Sequence, residues 1–576
     1  MVGRRRRWIK WLVAALVLVW VAAAAVLALL GVAAADRGQR ALDRAQRDRT
    51  YEALTDPATG ALLDDAHDEF ARGNDLLANP VMFPFRFLPV LGRQLRAADR
   101  LTNNAADASE VARDTVDEVR AMSEGPTPQG TERLRLLGRL ATVVDDAHRR
   151  LEAIDIPDDE ALVGPVDDVR TTLADKRGEA VDGLDRASKV LGSLQSLLDG
   201  ETYLVWGANN AEMRAGSGMF LSATTLTTDG GHLDIGDVRP TNRLVLDEGV
   251  ETPPELSRNY PWLDTGNDFR NLALSPRFAQ SAEIASRMWP QVPKGEEVDG
   301  VLAVDAEALW HIMKVTGPVT VNGTTYTPKT VRYQLLNGQY KQFPKDQGDR
   351  TDQLGEVARA VFDELESGDW KVGKLATALI DSVAGRHLLM WSADEAEQAG
   401  WEAASADGGL QEESLAVSVL SRGANKLDYY LGVGATITTT SSTSGTDVKV
   451  DISLRNRTPA KGDPKYVVGP NIEGLTEGEY AGIVAVNVPK AARSVRFEGG
   501  AYSTLVGTDG PTQTQGRYLR ILRGDQARLT LRFRLPASAD HLVIEPSARV
   551  RPLRWTFDGH EFVVEKRRTV ELGDSP

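Results

Sequence analysis

The chain predicts a multidomain α+β protein, and three features carry that expectation. One long uncharged run lies near the start, about 160 residues of helical apolar spacing follow, and the last quarter changes to short alternating strands. The 576 residues give a net charge of −15, with no cysteine. Thiol catalysis, disulfides and Cys-ligated metal are therefore excluded, and the acidic balance disfavours nucleic acid as a partner. With 42% hydrophobic and 26% charged residues, the composition is that of a folded chain.

Residues 1–10 carry Arg4, Arg5, Arg6, Arg7 and Lys10, and residues 11–35 contain no charge. As a helix, the uncharged run is about 37 Å long, enough for a hydrocarbon core of about 30 Å. The basic stub is expected in the cytoplasm, with a single-pass span over 11–35 and the bulk of the chain outside. A cleaved signal peptide ending at Ala33-Ala34-Ala35 is the rival reading, but the apolar run exceeds an ordinary secretory core.

Residues 36–199 read as an extracytoplasmic helical stalk, bundle or coiled coil, with helices near 37–78, 88–122, 130–153 and 164–198. Leu137, Leu140, Val144, Ala147 and Leu151 share one helical face, as do Leu184, Ala187, Leu191, Leu194 and Leu198. Between the first two helices, residues 79–91 concentrate Phe83, Phe85 and Phe87 with Pro80, Pro84 and Pro89. This segment reads either as a loop closing the bundle end or as one that touches a membrane or another protein.

Residues 200–427 read as an α/β layered core. Strands are expected at 203–206, 219–228, 231–237 and 298–304, and helices at 275–289, 306–315, 351–367 and 371–384. Residues 428–576 read as an immunoglobulin-like β-sandwich, with strands at 431–440, 448–455, 481–488, 527–535 and 542–545.

The sequence holds no nucleophile elbow, no phosphate loop and no paired-histidine metal motif. The expectation is no cofactor and no metal, with catalytic residues unknown. Arg214, Arg350 and Arg270 stand out instead, in polar stretches within the core. A guanidinium matches phosphate or carboxylate, so the three form a candidate anion pocket; structural ion pairing with nearby acids is the alternative.

The run from Tyr203 through Asn209-Asn210-Ala211-Glu212-Met213-Arg214 to Phe220 resembles the hallmark of the domain-of-unknown-function 4012 family. So do Leu274-Ser275-Pro276-Arg277-Phe278, Val298 to Asp305, Thr316-Gly317-Pro318-Val319 and Asn425-Lys426-Leu427-Asp428-Tyr429-Tyr430-Leu431. That resemblance implies a bacterial membrane protein without an assigned activity. In architecture the chain is also similar to LytR-CpsA-Psr proteins, which implies a lipid-linked glycan or cell-wall glycopolymer as ligand. Ala215 follows Arg214 where that group has a metal-binding Asp. Two functions are expected on these grounds: an envelope scaffold that binds protein partners, or a glycopolymer transferase or polyprenyl-phosphate-glycan binding protein.

Overall fold

The computed structural model describes residues 2–45, 53, 55–157, 162–342, 347–499 and 503–572, and the side chains of all of these except 2–18 and 347–355. Helices and strands divide the chain into two compact units. One comprises residues 1–125 and 136–191, the other 126–135 and 192–576.

The first unit is helical. Helix α1, Val2–Ala45, runs unbroken through the uncharged segment and ten residues past it. Within it, Val19–Ala45 is long and apolar enough to cross a membrane, by length and composition. Helix α2, Pro57–Ala78, starts on Asp56, whose carboxylate accepts the Ala58 N–H at 2.8 Å, with proline in the first turn. The single helix expected over 37–78 is thus two, and the residues between them include 46–52 and 54, which lie outside the described residues.

Small residues let α2 lie close against α1. A Cβ on Gly31 would stand 3.1 Å from Leu77, and one on Gly38 would stand 3.0 Å from the Phe70 ring. These pairs run in opposite order along the two helices, so the helices are antiparallel. Residues Pro80–Phe87 form a 3₁₀ helix rather than a loop, and α3 follows over Leu91–Ser123. Helices α4, Thr131–Glu152, and α5, Gly164–Leu198, lie close to their expected bounds. Ala147 and Leu151 of the predicted α4 seam are buried against Val111, with Val181 and Leu184 beside them.

The second unit contains three large sheets. In the first, β1 (Thr202–Met213), β2 (Gly218–Asp229), β3 (His232–Ile235), β4 (Gly300–Asp305) and β5 (Leu388–Ser392) take the order β3-β2-β1-β4-β5. The sheet is mixed: β1 and β4 are parallel, and the other neighbours on this path are antiparallel. The β2–β3 hairpin turns on Gly230 and Gly231, whose φ values of 54° and 84° favour glycine. Period-two alternation divides β1 between two cores. Leu204 and Trp206 join Phe220, Phe269 and Phe278 on one face, while Tyr203 and Val205 join Met390 and Trp401 on the other.

The other two sheets have six strands each and share one hydrophobic cluster, to which Val433, Val450 and Phe533 contribute from one and Val417, Val484 and Val486 from the other. Ser414–Ser421 lies in the middle of the latter sheet, between 480–489 and 541–544, although it precedes the expected boundary at 428. Every residue of 414–421 and of 480–489 is buried. The reason is a second layer: Leu420, Ile483 and Ala485 pack into the Trp206 cluster. Sheets covered on both faces carry near-continuous apolar runs.

Candidate functional site

The site grows from the end of β1. The strand expected at 203–206 extends to Met213, so Asn209, Asn210 and Glu212 are strand residues and not a following loop. Pairing with β2 passes from Asn209↔Met219 to Met213↔Gly218, leaving Asn210, Ala211 and Glu212 without partners on that strand. Such a bulge turns side chains away from strict alternation. The small residues after Arg214 serve backbone packing here. A Cβ on Gly218 would stand 2.4 Å from the Asn209 carbonyl carbon, and one on Gly216 would stand 2.7 Å from the Ser275 carbonyl oxygen.

Each polar residue of the run is spent on a distant partner. Asn209 donates to the Tyr340 hydroxyl at 2.9 Å. Asn210 donates to Asp305 and to the Ala548 carbonyl, both at 2.6 Å. Asp305 also caps the helix Ala306–Thr316 through the Glu307 and Ala308 N–H groups, and lies 2.7 Å from His387 Nδ1. Burial disfavours the His387 cation, but Asp305, with Glu307 and Glu565, raises the imidazole pKa overall.

Glu212 pairs with Lys426 at 2.7 Å. Lys426 is only 1% exposed, and its ammonium lies 5.4 Å and 5.6 Å from the ring centres of Tyr340 and Tyr466. Burial opposes that charge, yet Glu212 and the two tyrosines raise the lysine pKa. Asp428 accepts from the Met213 N–H at 3.1 Å, the Tyr480 hydroxyl at 3.2 Å and Arg549 at 3.0 Å.

Beside this network is a cavity of about 540 Å³. Ile235, Leu309, Leu335, Leu336 and Phe362 give it an apolar wall, and the bulge opposite Gly207 and Ala208 lets Leu221 and Ser222 line it together. Its polar residues include Asn209, Glu212, Arg270, Tyr340, Tyr466 and Asn471. Most of these cluster, since the Tyr340 and Tyr466 ring centres lie 5.5 Å apart and Asn471 bonds the Tyr466 carbonyl at 3.0 Å.

The three arginines singled out in the sequence occupy different settings. Arg270 lines the cavity and grips Asp268 through Nε at 2.9 Å and Nη2 at 2.6 Å, a pair that raises its pKa. Arg214 is buried behind the cavity and is not one of the described residues that line it. Its guanidinium donates to the Ser421 carbonyl at 2.9 Å, and burial lowers its pKa to about 10. Arg350 lies on the helix Gln347–Ser367, two turns before the cavity-lining Ala358, and its side chain lies outside the described residues. No cluster of three or more His, Asp or Glu suited to a metal occurs among the described residues.

Sequence reading gave Lys426, Asp428, Arg549 and His387 no role. Lys426 and Asp428 stand in a motif that carried the family resemblance. Nothing local marks them as the counter-charges of a strand more than two hundred residues earlier.

No curated protein matches the chain. A family described as "Protein of unknown function (DUF4012)" matches residues 199–340, about a quarter of the chain. From the residues that lead into β1 to Tyr340 at the cavity, the chain is therefore similar to that family of unknown function.

Proposed function

We propose that this chain is a single-pass, membrane-anchored envelope protein, N-terminus inside, whose extracytoplasmic part binds an amphiphile with an apolar chain and a hydroxyl-bearing, phosphate-linked head. A lipid-linked glycan is such a ligand. The observation that carries the reading is the cavity's dual lining, with aliphatic side chains on one side and Asn209, Glu212, Tyr466 and Asn471 on the other. Carboxylates and amides suit hydroxyl groups, and an apolar wall suits a hydrocarbon chain. Arg270 is the group for the phosphate, because its pair with Asp268 leaves Nη1 unused. Arg214 would hold the end of β1 in position. In this reading the last two sheets form an immunoglobulin-like sandwich that backs the core.

An envelope scaffold is the second reading. The buried Asp428–Arg549 pair favours it, because both charges are met by protein, and Arg214 is held by the Ser421 carbonyl.

The test is saturable binding of a fluorescent polyprenyl-phosphate-linked disaccharide to the full chain in lipid nanodiscs, read by energy transfer from tryptophan. Leu221→Trp, which fills the cavity from a half-buried position, should weaken binding at least about tenfold without lowering the melting temperature. No saturable binding by the parent, or equal binding by the variant, would leave the scaffold reading in place.

A further inference from the structure

Outside α1, the stretch from the 3₁₀ segment Pro80–Phe87 to Leu91 is where the helical unit exposes most large apolar side chains. Phe83 is 60% exposed, Phe87 71% and Val90 68%, with Leu88 and Leu91 also open. A soluble tip would not hold that many large apolar side chains in the open. Its position along α1 identifies what covers it. Leu77, Met82 and Leu95 pack with Ala24 on α1, and the Phe85 ring lies 5.0 Å from Trp20. Trp20 belongs to the uncharged run 11–35. From Gly31, opposite Leu77, to Trp20 is about 16 Å of helix. The tip therefore lies beside the segment that crosses the membrane, and Val19, Val26 and Leu30 of α1 continue its exposed surface.

We infer that the Phe83–Leu91 tip is a second membrane contact, inserted into the bilayer from the Asp36 side of the span and reaching the depth of Trp20–Ala24. This rests on α1 being a membrane anchor. Its backbone suits insertion. Pro80, Pro84 and Pro89 bring no N–H to be satisfied in hydrocarbon, and the Val81, Met82 and Leu88 N–H groups are bonded within the segment. The one charge in the 3₁₀ segment is turned back: Arg86 bonds the Leu77 carbonyl at 3.1 Å and pairs with Asp99 at 3.0 Å. Arg96 donates to the Arg86 carbonyl, and exposed Arg93 and Arg100 also stand in the first turns of α3, within a chain of net charge −15. Long cationic side chains beside an apolar tip reach lipid phosphates while their stems stay in the apolar layer.

The absence of cysteine allows single labels. Phe87→Cys, Val90→Cys, Val26→Cys and Glu473→Cys would each carry an environment-sensitive nitrobenzoxadiazole in the full chain, reconstituted in phosphatidylcholine vesicles with about one-third phosphatidylglycerol. Val26 reports the anchor, and exposed Glu473 reports water. The expected result is quenching at 26, 87 and 90 by doxyl-labelled lipid and protection there from iodide, with the reverse at 473. Quenching by lipid at 26 with iodide access at 87 and 90 would overturn the inserted tip and keep the anchor. Iodide access at 26 would overturn the anchor itself. Protection at 87 and 90 from both quenchers would mean a protein contact, and would equally refute insertion.

Discussion

Replacing Lys426 by Met removes a buried ammonium and keeps the length of the side chain. Its counter-ion Glu212, 2.7 Å away, is left without the cation. Breaking one side of a buried pair costs about 3–5 kcal/mol, because the remaining charge stays desolvated. Glu212 lines the cavity, so water can reach its carboxylate and the loss should fall near the lower end, about 3 kcal/mol. In a unit of nearly 400 residues, that corresponds to a drop in melting temperature of roughly 4 °C. The Met thioether keeps its contact with the Tyr340 and Tyr466 rings, so the loss belongs to the charge. The assay is differential scanning fluorimetry in detergent micelles on Lys426→Met, Glu212→Gln and the double variant. The double variant should recover at least half of the lysine loss. Additive losses, or a single-variant shift under about 1 °C, would refute the pair as a structural element.

Glu201, half-buried beside Asp299, has its pKa raised to about 7, first by burial and then by Asp299. A carboxyl raised on folding stabilises while protonated, and that contribution is lost as pH rises from about 4.5 through 7. Glu201→Gln should thus stabilise by about 1 kcal/mol at pH 8, after solvent screening, and by almost nothing at pH 4; urea titrations at both values check this. Gly218→Ala puts a Cβ 2.4 Å from the Asn209 carbonyl carbon and should cost about 2 kcal/mol, read as a lower melting temperature. A fragment of residues 199–340 should not fold alone, because Lys426, Asp428 and Ala548 lie outside it; a dispersed amide spectrum from that fragment would contradict this.

How much was legible follows from how local each signal is. The β2–β3 hairpin was readable because its alternation and its Gly230-Gly231 turn are adjacent in sequence. Helices α3 to α5 were readable from apolar spacing and from the breakers around Gly125-Pro126. The extent of β1 was not, since Asn209 to Glu212 are polar and the groups that satisfy them lie at 305, 340, 426 and 548. Strands such as Thr512–Ile521 were missed because Gln513, Gln515 and Arg517 break apolar alternation. The helix expected over 275–289 starts at Phe278; the Ser275 hydroxyl accepts the Arg277 N–H at 3.0 Å and donates to Asp509 at 2.7 Å. The cavity had no signature of its own, because its walls come from stretches that meet only in the fold.

The polar run that carries the family resemblance has two jobs, and the geometry separates them. Asn210, the Met213 N–H and Arg214 face protein: their partners are Asp305, Asp428 and the Ser421 carbonyl. Asn209 and Glu212 belong to the same strand but also line the cavity. Glu212 is tied to Lys426, and Lys426 is one residue from Leu427 and two from Asp428, which Arg549 grips at 3.0 Å. A ligand that hydrogen-bonds Glu212 competes for the same carboxylate that holds Lys426. Under the proposed function, binding at the cavity would be coupled through that ion pair to the segment that enters the last two sheets. An apolar lining alone would provide no such link. The buried charges cost desolvation wherever they sit, and Glu212 and Asp305 are charged groups that the structural network and the candidate binding surface share.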